Sequence, residues 1–198
     1  MKTGIPFVDY TPESCAEVYS AINVRQITAL MFHDQMADYF KFLSLDGFYK
    51  LHKYQYLDES LDRCKLKKYY MCHHNKLVEE WPVSNPDAIP KEWLRYTRMD
   101  VTVQVRTQAV QSALKKYMEW EEGTKTILSK SAVKLRELGC VSDEEFILEM
   151  LEDVENELKC LYGIVNKLRA VSYDPVYVME YQDKLKHKYD EEIRALLP

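Results

Sequence analysis

Four long stretches of helical periodicity, broken by two tight turns and one connection of roughly twenty residues, constrain this chain more than any other feature of its sequence. Thr11, Pro12 and Glu13 open the first: a capping hydroxyl, a proline at the first helical position and an acid near the positive end of the helix dipole. Helical spacing then runs through Val18, Ile22, Ile27, Met31 and Ala37 to Leu45, which predicts a helix over about 12–45. Asp46-Gly47 interrupts it, with Gly47 suited to the left-handed conformation that ends a helix. A second helix is expected over about 48–80, stopping before Trp81-Pro82, and a third over about 101–138, closed by Gly139. Ser142-Asp143-Glu144-Glu145 reads as a capping box that opens a fourth over about 143–170. Asp174-Pro175 starts a shorter fifth over about 175–196.

The connection over 81–100 carries Pro82, Pro86 and Pro90 and the turn Ser84-Asn85-Pro86-Asp87. Trp93, Leu94 and Tyr96 are apolar enough to pack, so it reads as an ordered crossover. Short turns make neighbouring helices antiparallel, whereas a long crossover lets the second and third run in the same direction. The expectation is an all-α antiparallel four-helix bundle in up-down-down-up order, with a C-terminal fifth helix, as a single domain over 1–198.

A net charge of −5 argues against nucleic acid as a partner, because phosphate binding needs a basic face. No stretch approaches the ~18 apolar residues that span a bilayer, and Met1 to Val8 shows no basic segment leading an apolar run. The five cysteines are scattered without a CxxC pair, and they read as reduced thiols in a cytoplasmic protein. Cys72-His73-His74 reads as a helix-end group near Glu79 and Glu80, since adjacent helical residues point about 100° apart.

Acids that fall mid-helix on apolar faces are the informative polar residues, because a buried carboxylate is costly unless paired or metal-bound. On the first helix Asp34 and Asp38 share a sector with Ile27, Met31 and Leu45, and His33 lies about a third of a turn away. On the second, His52, Gln55, Glu59 and Asp62 share a side with Phe48, Leu51 and Leu66. On the third, Glu121 lies with Val110, Leu114, Tyr117, Thr124 and Leu128, while Glu119 and Glu122 point elsewhere. The stripe of the fourth, from Ile147 to Val165, is apolar, with Asp153 and Glu157 at its edge and no histidine.

This layout, with Phe32-His33-Asp34-Gln35-Met36-Ala37-Asp38-Tyr39-Phe40 and then Glu59-Ser60-Leu61-Asp62, resembles a distant member of the ferritin-like superfamily. The aromatic-rich first pair of helices is similar in style to the DNA-protecting starvation proteins. Such sites draw one carboxylate from each of two helices and Glu-x-x-His from each of the others. Here Glu59-x-x-Asp62 stands where one Glu-x-x-His would be, and the fourth helix offers none. The resemblance implies Asp34 or Asp38, Glu59, Asp62 and Glu121 as oxygen ligands, with His52 as a nitrogen donor. Such a set suits iron, manganese or magnesium better than zinc or copper. It also implies a homo-oligomer that handles metal or carries out a redox step. The alternative is a metal-free helical scaffold that self-associates or binds a protein partner through Trp81, Trp93 and the fifth helix. Neither reading selects an enzymatic reaction.

Overall fold

The computed structural model describes residues 12–89 and 91–197, apart from the side chains of Glu92 and Trp93. Among the described residues there are five α-helices and no strand: α1 (Cys15–Phe42), α2 (Asp46–His74), α3 (Val103–Glu137), α4 (Val141–Ala170) and α5 (Pro175–Leu196). Two short 3-10 turns, Lys91–Arg95 and Arg98–Asp100, lie in the link between α2 and α3.

Side-chain pairs give the directions. Tyr19, Asn23 and His33 of α1 meet Tyr70, Arg63 and His52 of α2, in reverse order. Arg25 and Phe32 of α1 meet Thr124 and Tyr117 of α3, again in reverse. The helices α2 and α3 therefore run the same way, and the up-down-down-up order expected from loop lengths is the one adopted. Tyr69 and Gln55 of α2 meet Phe146 and Glu157 of α4, which returns antiparallel to α2. The fifth helix packs chiefly on α2.

Helix ends depart from expectation where tertiary contacts override local signals. The Thr11 cap lies outside the described residues; α1 begins at Cys15, with the Ser14 hydroxyl accepting from the Glu17 N–H at 3.3 Å. It ends at Phe42 rather than near 45, because Ser44 turns left-handed at φ 57° and Leu45 folds back into the core. Gly47 sits inside the first turn of α2, where its N–H donates to Gln182 Oε1 at 2.9 Å. A Cβ there would lie 1.8 Å from the Gln182 carbonyl oxygen, so close approach of α5, not a left-handed cap, requires this glycine.

The second helix stops at His74, six residues short of expectation, because Asn75 is left-handed at φ 51°. Glu80 then folds back along the bundle to accept from Asn23 at 2.8 Å, Arg63 at 3.0 Å and Lys67 at 2.6 Å. The crossover is ordered: Val78 and Ala88 are buried, and Lys116 donates to the Asp87 carbonyl at 2.7 Å. Leu94 and Tyr96, expected to pack, are exposed. At the other turn Gly139 is left-handed at φ 72°, as its position implied. The Ser142 capping box does not form. Cys140 occupies the N-cap of α4 without a side-chain capping bond, while Asp143 and Glu144 turn inward to other partners. Asp174 does cap α5, accepting from the Val176 and Tyr177 N–H groups at 3.0 Å.

The apolar core falls into two clusters. One gathers Phe32, Phe40, Phe48, Leu114 and Leu161, and the other Val18, Ile22, Leu66, Leu128 and Ile147. Polar side chains from α1, α2, α3 and α4 occupy the layer between them.

Candidate metal centre

Three helices bring one ligand atom each from His33, Glu59 and Glu121 within 4.8 Å of one another. His33 and Glu121 are fully buried and Glu59 is partly buried. His33 Nε2 lies 3.7 Å from Glu121 Oε1, and its other ring nitrogen, Nδ1, lies 3.0 Å from Nδ1 of His52. Beside this group a cavity of about 20 Å³ is lined by Gln26, Glu59, Asp62, Thr124 and Glu157 among others, enough for one water or ion. The Gln55 amide donates to the Tyr117 hydroxyl at 2.6 Å and to Glu157 Oε2 at 3.4 Å, which ties α2 to α3 and α4.

A partly buried cation, Arg25, faces these acids. The Arg25 guanidinium donates from Nε to Thr124 Oγ1 at 2.9 Å, donates again to the Trp120 carbonyl, and lies 3.4 Å over the Trp120 ring. Burial lowers its pKa to about 10, against the opposing pull of Glu121 and Glu59.

Burial pushes the Glu121 carboxyl up to about 7, held back by Arg25. Glu59 is driven well above the usual carboxylate range by burial and then by Glu121 and Asp62. Glu157 is raised for the same reasons, by burial, Glu121 and Glu59, and Asp58 rises to about 6. Burial holds His33 down at about 3, so its imidazole is neutral at any working pH, and His52 is depressed likewise. Neither oxygen of Glu121 accepts a hydrogen bond from the described residues, and both amide atoms of Gln26 and Nε2 of His52 are equally without partners. Once these crowded acids ionise, a layer with orphaned oxygens and a neutral imidazole is short of positive charge, which either protons or a cation can supply.

The structure brings together three of the residues singled out in the sequence: Glu59, Glu121 and, across the small cavity, Asp62, which also takes the Lys65 ammonium at 2.7 Å. His52 lies behind His33 rather than in the cluster. Asp34 and Asp38 do not join it. Both are exposed, with Asp34 bound to Lys53 at 3.2 Å, because α1 buries the face carrying Phe32, His33, Met36 and Phe40. Leu45, which set the expected phase, lies beyond the end of α1. Sequence reasoning missed His33, Arg25, Gln26 and the inward turn of Glu157. The only signal for Glu157 was its place at the edge of an apolar stripe.

No family model and no curated protein matches the sequence. Solved structures do match. An open-pore ferritin from the hyperthermophilic archaeon Archaeoglobus fulgidus superposes with a TM-score of 0.72 at 18% identity, covering 89% of this chain and 98% of that one. A closed form of the same organism's ferritin, engineered by site-directed mutagenesis, gives 0.71 at 18% identity, over 89% and 97% of the two chains. A humanized archaeal ferritin gives 0.73 at 16% identity, over 89% and 98%. At such identity the likeness establishes the fold: this chain is a ferritin-like four-helix bundle.

Proposed function

We propose that the chain is a ferritin-like protein that holds a hard metal ion, iron or manganese, in the polar layer of its bundle. Both oxygens of a fully buried Glu121 lack a hydrogen bond from the described residues beside two further crowded acids, and that single observation carries the reading. Glu59 and Glu121 would be the principal oxygen ligands, with Asp62 and Glu157 completing the set and His33 as the nitrogen donor. An ion bound there would supply charge compensation and, for iron or manganese, one-electron redox chemistry.

The chain's own contribution is to hold the donors ready. When His33 donates its Nδ1–H to His52, its Nε2 lone pair faces Glu121, the tautomer a ligating imidazole needs. This makes His52 a positioning residue rather than a ligand. Asp34 and Asp38 have no part in the proposed site. Arg25 offsets one of the acids, and among the described residues three ligand atoms converge closely, which favours one ion over two. We further propose that all five helices act as one domain and that copies self-associate, with the exposed Leu94, Met99 and Val103 as contacts.

Elemental analysis of protein expressed with added iron or manganese, then desalted, tests the reading against a Glu59→Ala, Glu121→Ala double variant. About one equivalent in the native chain and background in the variant, with helix content unchanged by circular dichroism, is expected. Background metal in both would overturn it and leave the acids as structural groups of a scaffold. Light scattering reads the self-association.

A further inference from the structure

A second group of ligating side chains forms at one end of the bundle, well away from the polar layer. His74 lies fifteen residues beyond Glu59 on α2, about 22 Å along the helix. The group joins the start of α1, the end of α2 and the start of α4 through Cys15, His74 and Asp143, whose ligand atoms all lie within 4.8 Å of one another. Cys15 Sγ is 3.8 Å from His74 Nε2, and that nitrogen is 2.7 Å from Asp143 Oδ1. Sulfur and nitrogen ligands of a tetrahedral zinc stand about 3.6 Å apart at ordinary bond lengths, so the sulfur–nitrogen edge already has the right length. Cys140, the N-cap of α4, brings a second thiol. It packs against the same apolar cluster as Cys15, outside that group of three, and its own weak bond is to the Leu138 carbonyl at 3.8 Å.

We propose that Cys15, Cys140, His74 and Asp143 form a tetrahedral site for a zinc-class divalent ion that fastens three helix ends together. His74 is thus drawn away from the helix-end grouping with Glu79 and Glu80 that its sequence suggested, while His73 stacks on Tyr69. The surroundings orient the donors. The Tyr19 hydroxyl donates to Asp143 Oδ1 at 2.8 Å, and the His74 ring stacks on Tyr70 at 4.6 Å and meets Tyr19 edge-on at 6.0 Å. Without an ion, burial, Asp143 and Cys140 push the Cys15 thiol up to about 12. A divalent cation reverses that electrostatic sense by drawing protons off both thiols. Thiolate and imidazole donors select zinc or its cobalt surrogate, whereas the oxygen-rich central layer selects harder ions. The two sites are independent, and either proposal can fail without the other.

The test is a Co2+ titration of the reduced full chain, followed by zinc displacement. Thiolate-to-cobalt charge-transfer absorption saturating at about one equivalent and abolished by zinc is expected. Cys15→Ser and Cys140→Ser should remove or strongly weaken the band, Asp143→Asn should weaken it, and Glu59→Ala with Glu121→Ala should leave it intact. Zinc should also protect two thiols of the native chain from a thiol reagent, a readout that needs no variant to fold. Absence of the charge-transfer band in the reduced native chain overturns the proposal. So does a band that survives both cysteine substitutions, or a Cys15–Cys140 disulfide that persists under reduction and excludes zinc.

Discussion

Replacing Glu121 by glutamine in the metal-free protein keeps the shape of the side chain and removes the charge that burial disfavours. The folded carboxyl titrates at about 7, whereas an unfolded glutamate titrates at about 4.3. Below the lower value both states hold the proton and the group contributes nothing. As pH rises through the window between the two values, the unfolded state loses its proton first, so native stability falls, and above 7 the full penalty is present. A displacement of that size corresponds to roughly 4 kcal/mol, which in a chain of this length is roughly 8–16 °C in Tm.

His33 and His52 act in the opposite sense. Both stay neutral when folded, so stability rises with pH until the unfolded imidazoles lose their protons at about 6.5. Comparing Glu121→Gln with the native chain at each pH cancels that contribution to first order. The stability gap should therefore open in favour of the variant by about 2–3 kcal/mol between pH 5 and pH 8. Chemical denaturation of chelator-treated samples across that range measures it. Parallel pH profiles for the two proteins would refute the argument, because Glu121 would then not be the group that ionises at a cost. If iron or manganese binds as proposed, excess metal should reverse the order, since the variant would lack an anionic ligand while the native chain would gain binding free energy.

Gly47→Ala should destabilise the chain by about 2 kcal/mol or more, because the added carbon meets the Gln182 carbonyl at 1.8 Å and overpacking outweighs the gain in helix propensity. Thermal melting should show the drop, and limited proteolysis should show α5 becoming cleavable first. Arg25→Met should raise the Glu121 pKa above its native value, so that stability goes on falling to higher pH while the onset of the fall, set by the unfolded chain, stays where it was. The same change should alter Trp120 fluorescence, since the guanidinium lies 3.4 Å over that ring.

Helices and their order were legible because local chemistry decides them. Asp174-Pro175 and Gly139 act where they stand, and a long proline-rich link can only be a crossover. Which face of α1 points inward was not legible, because α1 packs against both α2 and α3 and buries residues around much of its circumference, including Ser20, Asn23 and Gln26. A phase error of one residue exchanges His33 for Asp34, and including Leu45 in the pattern produced that error. In α3, where Val110, Leu114, Tyr117, Glu121, Thr124 and Leu128 form a clean buried stripe, periodicity placed the acid correctly. The Cys15, His74 and Asp143 group left no local trace, since its members are brought together only when three helix ends meet. The sequence of the α4 start even pointed away from it, toward a cap that Asp143 and Glu144 abandon for Tyr19, His74 and Arg136.

The central layer also bears on how such a site survives before any ion arrives. Three ionised acids at this depth would oppose folding by several kcal/mol, yet the layer carries its own compensation. Arg25 supplies one permanent charge, and the raised values of Glu59, Glu121 and Glu157 mean that protons supply the remainder. Gln26 contributes an uncharged amide from α1 where a further carboxylate would have increased the repulsion. The bundle can therefore close around the layer without metal, and a proposed ligand ion competes with protons already held there rather than with bulk water. Affinity for iron or manganese must then rise with pH across the same interval in which the metal-free fold weakens. Folding and loading are thus separable at the centre, whereas at the bundle end an ion held by Cys15, Cys140, His74 and Asp143 would bear directly on whether three helix termini stay together.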